Sequence, residues 1–164
     1  MDDIHRKIAE DLFVKMSIAL TENKAIPPLY AAITPENELI PIMLAKNVEV
    51  DFSVYSSLAV RAATELKATG MMLVSVQYLI TKDKDDPSIL SLMSGEIRAS
   101  EHPDSVENLI LTYMSQHGET ETLIAEVKKD PSGTPYTVDQ KWLKVSESNL
   151  MIPWAEDDVC MQPV

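Results

Sequence analysis

The feature that most constrains the fold of this sequence is its C-terminal half, where three extended segments follow one another with only short turns between them. These segments, at 106–116, 121–130 and 134–145, are rich in β-branched and aromatic residues or alternate in polarity. The first turn is at 117–118, and the second, at 130–133, reads Asp-Pro-Ser-Gly, with proline and glycine where a type I turn favours them. Because such short turns join antiparallel neighbours, the C-terminal half is predicted to be an antiparallel meander.

Two earlier segments have the periodicity of amphipathic helices. The first, residues 3–21, has Asp2 or Asp3 as its N-cap. Its apolar residues recur every four positions, at Ile4, Ile8, Leu12, Met16 and Leu20. The second helix starts after a cap at Asp51 and stops at Gly70, a residue that accepts the left-handed conformation of a helix end. Its predicted buried face consists of Phe52, Tyr55, Leu58, Ala59, Ala62 and Leu66.

The remaining segments predict a hairpin, a strand and a long loop. Residues 29–45 have two apolar runs around the turn Thr-Pro-Glu-Asn-Glu, and Pro41 in the second run indicates an edge strand or a bulge there. Residues 71–80 predict a mostly buried strand. Residues 81–104 predict a loop, in which Ser-Ile-Leu-Ser-Leu-Met-Ser supplies a helical turn or a short strand. In the last strand of the meander, one side is predicted to carry Tyr136, Val138, Gln140, Trp142 and Lys144.

These elements together predict an α+β fold. The order is helix–strand–strand–helix–strand–strand–strand–strand, which gives a mainly antiparallel sheet of about five to six strands with two helices packed on one face. This order resembles that of roadblock-like and profilin-like domains, and the similarity is of element order only. Residues 1–150 are predicted to form one domain, and residues 151–164 a C-terminal tail that packs as an appendage or is partly disordered.

Charge and composition exclude several classes of protein. The net charge is −12 at pH 7, and the 14 basic residues are scattered, so we expect neither nucleic acid nor an anionic membrane surface as a partner. No apolar run approaches the roughly 20 residues of a membrane helix, and the acidic start of the chain is unlike a signal peptide. Cys160 is the only cysteine, so an intrachain disulfide is impossible and a reducing, cytoplasmic setting is expected.

The chemistry-bearing residues are sparse. The three histidines, His5, His102 and His117, do not have the spacing of a helical two-histidine metal site. The four glycines form no phosphate-binding loop. We therefore expect no metal and no cofactor, and solvent-exposed or turn positions for the histidines.

One stretch, Arg-Ala-Ser-Glu-His-Pro-Asp-Ser at 98–105, concentrates titratable groups before a strand. His102 lies between Glu101 and Asp104, and Glu107 follows. A carboxylate–histidine pair in a cleft could do acid–base catalysis, so His102, Glu101 and Asp104 are the candidate catalytic residues. The alternative is an architectural turn that ends the long loop and starts a core strand, and this is the interpretation that the sequence favours.

The same corner carries a resemblance to a known group of proteins. The segments 26–44, 72–80 and 100–114 resemble a group of small uncharacterised bacterial proteins, which pair a Pro-Pro-Leu hairpin with a Ser-Glu-His-Pro-Asp corner before a strand hairpin. The matching parts cover under half of the chain. Where the group has a basic residue after the corner aspartate, this chain has Ser-Val-Glu at 105–107. The resemblance implies one compact domain from a bacterium or phage and implies no activity.

Three functions are compatible with these observations. The first is a non-enzymatic cytoplasmic domain that self-associates or binds a protein partner, because the chain has a hairpin-rich sheet with edges and nine methionines suited to adaptable contacts. The second is a small hydrolase or transferase that uses the loop around His102. The third is an acidic decoy protein that mimics DNA, which requires one continuous anionic face.

Overall fold

The computed structural model of the protein describes residues 1–43, 51–80 and 86–144. Its helices are α1 (Asp3–Thr21), α2 (Phe52–Glu65) and α3 (Pro87–Met93), and a 3-10 turn spans Ala99–Glu101. Its strands are β1 (Leu29–Ile33), β2 (Leu39–Ile42), β3 (Gly70–Ile80), β4 (Ser105–Ser115), β5 (Thr120–Lys129) and β6 (Pro135–Lys144). The predicted order of elements is confirmed, and α3 supplies a helix within the segment that was predicted as a loop.

The six strands form one antiparallel sheet in the order β2-β1-β3-β4-β5-β6. The longest pairing, between β3 and β4, runs from Gly70 opposite Ser115 to Ile80 opposite Ser105. Strand β2, with Pro41, lies at one edge of the sheet, which is one of the two positions predicted from the missing backbone donor of proline. The predicted α+β class with a mainly antiparallel sheet is confirmed.

The two long helices pack on opposite faces of this sheet, so the prediction that both cover one face is wrong. Helix α1 shares a core with Met72 and Val74, whereas α2 shares a core with Met71 and Leu73. Because alternate residues of a strand point to opposite faces, the two cores lie on the two sides of β3. Both alternating sets at the start of β3 are apolar, and a strand of this composition is stable only when both of its faces are covered.

The buried face of α1 differs from the predicted one. The residues that α1 buries are His5, Ala9, Leu12, Phe13 and Leu20. Ile4, the first residue of the predicted face, is 55% exposed. Each step of four residues in a helix advances the direction of the side chain about 40° beyond a full turn, so four steps rotate it by about 160°. Leu20 therefore reaches the core while Ile4 points to the opposite side.

Helix α2 ends earlier than predicted. Asp51 caps it as expected, because its side chain accepts a hydrogen bond from the backbone of Ser53 at 3.1 Å. The helix ends at Glu65, and Lys67, at φ 52°, adopts the left-handed conformation that was predicted for Gly70. The predicted face is also shifted, since Phe52 is partly exposed and the residues that the helix buries are Tyr55, Ala59, Val60 and Ala63.

A bulge in β6 reverses the predicted alternation of that strand. Trp142 lies opposite Leu123 of β5 and Val138 lies opposite Glu126, with a register shift between the two pairs. Asp139 at the bulge has φ 56°. The extra residue changes which side chains share a face. Trp142 and Val138 therefore lie on opposite faces of the sheet, whereas strict alternation predicted that they share one face.

A polar anchor holds the start of α1 against the sheet. Glu121 of β5 accepts a hydrogen bond from Arg6 at 2.9 Å and another from the α-amino group of Met1 at 3.0 Å. The guanidinium of Arg6 also lies 4.8 Å from the ring centroid of Trp142, whose indole N–H donates to Glu10 at 3.0 Å. Burial opposes the ionisation of Glu121, but the hydrogen bonds and positive charges of these two cations outweigh it and hold the pKa of Glu121 below its usual value.

Replacing Glu121 with glutamine is expected to cost about 1 kcal/mol at pH 7. A carboxyl group with a pKa depressed by folding adds stability above its unfolded pKa, and this is lost as the pH falls through the folded pKa. The difference between wild type and Glu121→Gln should therefore shrink below about pH 4. Urea denaturation of both proteins at several pH values measures this difference in the free energy of unfolding. A difference in the free energy of unfolding that stays constant with pH would contradict the anchor.

Candidate functional site

The corner around His102 is the site that the sequence singled out, and the structure buries its histidine. His102 follows the 3-10 turn and is 3% exposed. Its Nε2 lies 2.8 Å from Oγ of Ser88 in α3, and its Nδ1 accepts a hydrogen bond from the backbone N–H of Asp104 at 3.0 Å. Ser88 in turn lies beside Asp86, the N-cap of α3. We refer to Asp86, Ser88, His102 and the backbone of Asp104 as the His102 clasp.

The position of each hydrogen in the clasp follows from these contacts. Because the backbone N–H of Asp104 donates to Nδ1, a neutral His102 carries its hydrogen on Nε2. That N–H donates to the hydroxyl oxygen of Ser88, and the single hydroxyl hydrogen of Ser88 points to the carboxylate of Asp86, 2.5 Å away. In a nucleophilic pair the serine must donate to the imidazole. The direction here is the reverse, so His102 in this arrangement cannot act as a base toward Ser88.

The other two candidate residues lie beside the clasp on the protein surface. The carboxylate of Glu101 accepts a hydrogen bond from the backbone N–H of Arg98 at 2.9 Å, which closes the 3-10 turn. The side chain of Asp104 is exposed, and it is the backbone of this residue that reaches the imidazole. The structure thus brings Glu101, His102 and Asp104 together in a turn that connects α3 to β4.

Sequence reasoning missed a second buried histidine. His5 of α1 is buried, although an exposed or turn position was expected for it. Its Nδ1 lies 2.8 Å from the hydroxyl of Tyr113 in β4, and its Nε2 lies 3.2 Å from Oγ1 of Thr69. Asp2, the N-cap of α1, places a carboxylate oxygen 3.6 Å from Nδ1. The only signal in the sequence is that His5 precedes Ala9 and Leu12 at helical spacing on the buried face.

A cleft of about 420 Å³ opens at this histidine, between the start of α1 and the β4–β5 turn. Its lining includes Asp2, Tyr113 and the exposed His117. Burial, together with the negative charges of Asp2, Glu119 and Glu121, raises the pKa of Tyr113 far above its usual value, so its hydroxyl stays protonated at neutral pH. Within the described ranges, no three histidine, cysteine or carboxylate side chains are grouped to hold a metal ion. At neutral pH the cleft therefore offers no phenolate base.

The outward side of α1 carries a row of exposed aliphatic residues. Three aliphatic residues there are about half exposed, namely Ile4 at 55%, Val14 at 49% and Ile18 at 53%. Lys7 and Asp11 lie between them and are also exposed. These five positions fall within an arc of about 80° around the helix axis, opposite the buried face. We call this set the α1 outer stripe. Such a row of aliphatic side chains on an otherwise charged helix is typical of a contact surface.

The charges beside the stripe are mixed in sign. Lys15 and Asp3 flank it, and both are exposed. The outward side of α1 is therefore not part of a continuous anionic face, although the chain as a whole is strongly acidic. Among the helices that the structure describes, none has the length and apolar character to cross a membrane. Comparison with protein-family models, with curated proteins and with solved structures finds no match to this chain.

Proposed function

We propose that the protein is a non-enzymatic domain that self-associates through the α1 outer stripe, in a reducing, cytoplasmic setting. The observation that carries the proposal is the half-exposed row of Ile4, Val14 and Ile18 on a helix that already has a complete buried face. Removing the remaining exposed surface of each side chain from water would contribute about 1 kcal/mol. A symmetric pair buries aliphatic residues of this row on both copies, and the free energy gained in this way favours association.

The proposal favours a second copy over a different protein because the stripe is complementary to itself. It contains one cation, Lys7, and one anion, Asp11, four positions apart and framed by aliphatic residues. A closed two-fold contact uses the same surface on both copies, so a surface with both charges can satisfy itself. A single helix face is smaller than a standard interface. We therefore expect a weak dimer, with a Kd on the order of tens of micromolar.

The geometry of the His102 clasp also supports a non-enzymatic role over the hydrolase alternative. Ser88 directs its hydroxyl hydrogen away from the imidazole, and His102 is buried. A catalytic base must reach the proton that it removes from a substrate. Buried in this turn, His102 connects two elements of the fold, and its burial favours a structural role.

Replacing Val14 with aspartate tests the proposal. An unpaired charge in the contact should raise the Kd of the dimer more than tenfold, because the carboxylate would lose its hydration without gaining a partner. Val54 on α2 is a matched control, since it is also an exposed helical valine and lies outside the stripe. Sedimentation equilibrium of wild type, Val14→Asp and Val54→Asp gives the three dissociation constants.

The expected result is a loss of association in Val14→Asp and an unchanged Kd in Val54→Asp. Circular dichroism should show the same helix content in all three proteins, because both valines are exposed. Equal dissociation constants for wild type and Val14→Asp would overturn the proposed surface. If the wild-type protein stays monomeric but binds another protein through the stripe, the partner is that protein and not a second copy of this chain.

A further inference from the structure

We propose that the two copies pair their α1 helices antiparallel through the outer stripes, around a two-fold axis at the level of residue 9 along the helix, with Lys7 of each copy against Asp11 of the other. This inference rests on the proposed self-association and specifies its geometry. The α1 outer stripe has heptad spacing, since Ile4, Asp11 and Ile18 are seven residues apart and so are Lys7 and Val14. The heptad seam between two helices is made of apolar residues. In this stripe three of the five positions are aliphatic, and the other two carry opposite charges.

The register follows from which residues face each other. In an antiparallel pair centred at the level of residue 9, position 4 of one copy faces position 14 of the other, and position 7 faces position 11. Ile4 then packs on Val14 of the second copy, and Lys7 lies beside Asp11 of the second copy. The two-fold axis repeats both contacts. The interface thus contains two aliphatic contacts and two ion pairs, related by the two-fold axis as an isologous interface requires.

Other arrangements of the same helices place like charges together or bury charges against aliphatic groups. A parallel pair sets Lys7 against Lys7 and Asp11 against Asp11, which is unfavourable. An antiparallel pair centred on Asp11 brings Ile4 to Ile18 but places the two Asp11 carboxylates at the axis. A pair shifted further toward the C-terminus sets Lys7 against Ile18 and Asp11 against Val14. The pairing centred at the level of residue 9 is the one of these that matches opposite charges.

The environment of the two charges supports their use in a contact. Lys7 and Asp11 are exposed, and the structure places neither in an ion pair with another described residue. Exposed ion pairs add little affinity. Their role here is to select the register and orientation, while the aliphatic residues supply the attraction.

A charge-exchange experiment tests this geometry. Lys7→Asp makes both charges of the stripe negative, and Asp11→Lys makes both positive. Each variant alone should self-associate about tenfold more weakly than wild type, because both ion pairs become like-charge contacts. An equimolar mixture of the two should recover a Kd close to that of wild type. The double variant, Lys7→Asp with Asp11→Lys, restores opposite charges and should also associate like wild type.

Disulfide trapping tests the orientation directly. In a background with Cys160→Ser, Ile4→Cys and Val14→Cys are prepared as two separate proteins and mixed under oxidising conditions. The antiparallel register predicts a covalent heterodimer as the main product, since these positions face each other. Homodimers of Ile4→Cys as the main product would indicate a parallel pair and overturn the inference.

The possible failures are distinguishable. A wild type that stays monomeric at all concentrations contradicts the proposed function itself. A wild-type dimer that is lost in Val14→Asp, but is unaffected by Lys7→Asp and by Asp11→Lys, supports the proposed function and overturns the antiparallel register. Circular dichroism of every variant verifies that the substitutions on this exposed face leave the fold intact.

Discussion

Replacing Gly70 with valine is expected to destabilise the protein by about 3 kcal/mol, because β3 passes too close to a fixed aromatic ring to allow a side chain there. A Cβ atom at Gly70 would lie 2.8 Å from Cε2 of Tyr113 and 3.3 Å from Nδ1 of His5. The Tyr113 ring is 2% exposed, and its hydroxyl is hydrogen-bonded to His5 at 2.8 Å. A shift of either neighbour would disturb the hydrogen bond between His5 of α1 and Tyr113 of β4.

Urea denaturation of a graded series measures this effect. Gly70→Ala should cost less than Gly70→Val, since both add the clashing Cβ and only valine adds two methyl groups beyond it. Adding Tyr113→Leu removes the obstructing ring, so Gly70→Val should cost less in that background than in wild type. This non-additivity is the signature of a direct steric contact. Equal costs in the two backgrounds would contradict the explanation from close approach.

Replacing His102 with alanine is expected to cost about 2 kcal/mol of stability. The substitution leaves a cavity and removes the acceptor of the backbone N–H of Asp104 and the donor to Ser88. Glu101→Gln is the matched control, since the side chain of Glu101 is exposed and an amide oxygen can still accept the hydrogen bond from Arg98. The control should change the stability by no more than about 0.5 kcal/mol.

A double-mutant cycle with Ser88→Ala separates the clasp from simple packing. If His102 and Ser88 act together, the cost of the double variant should be less than the sum of the two single costs. Chemical denaturation of the four proteins gives the coupling energy. A His102→Ala variant with the stability of wild type would contradict the structural role of the clasp and return His102 to the candidates for catalysis.

The sequence predicted the strands and the order of the elements along the chain because these depend on local patterns. The turn at 130–133 is set by a proline and a glycine at fixed positions, and a proline within a strand, such as Pro41, indicates an edge or a bulge. The start of α1 likewise follows from a single residue, since Asp2 accepts a hydrogen bond from the backbone N–H of His5 at 2.7 Å. None of these features needs knowledge of a distant part of the chain.

The predictions were wrong where contacts between residues far apart in the sequence determine the structure. Gly70 looked like a helix stop, but it is required by the ring of Tyr113, more than forty residues away in the chain. The two apolar sides of β3 show that both faces are covered, a signal that was present at 71–74 and not used. The bulge at Asp139 has no marker such as glycine, so the reversal of faces in β6 could not be read from the alternation.

The position of the candidate site could be predicted from the sequence, but the hydrogen-bond partners of its histidine could not. The sequence placed His102 in a corner before a strand, and the structure shows that corner. Its partner Ser88 lies fourteen residues earlier, within the segment predicted as a loop, and no local pattern joins the two residues. The predicted tail at 151–164 lies outside the described residues. The resemblance to a group of bacterial proteins stays a prediction.

The most direct test of self-association through α1 is the weight-average mass of the wild-type protein as its concentration is raised from about 1 μM to about 1 mM, measured by sedimentation equilibrium. The predicted result is a rise from the 18.3 kDa of one chain toward twice that mass, and no such rise for Val14→Asp. A wild-type mass that stays at 18.3 kDa throughout would contradict the central claim.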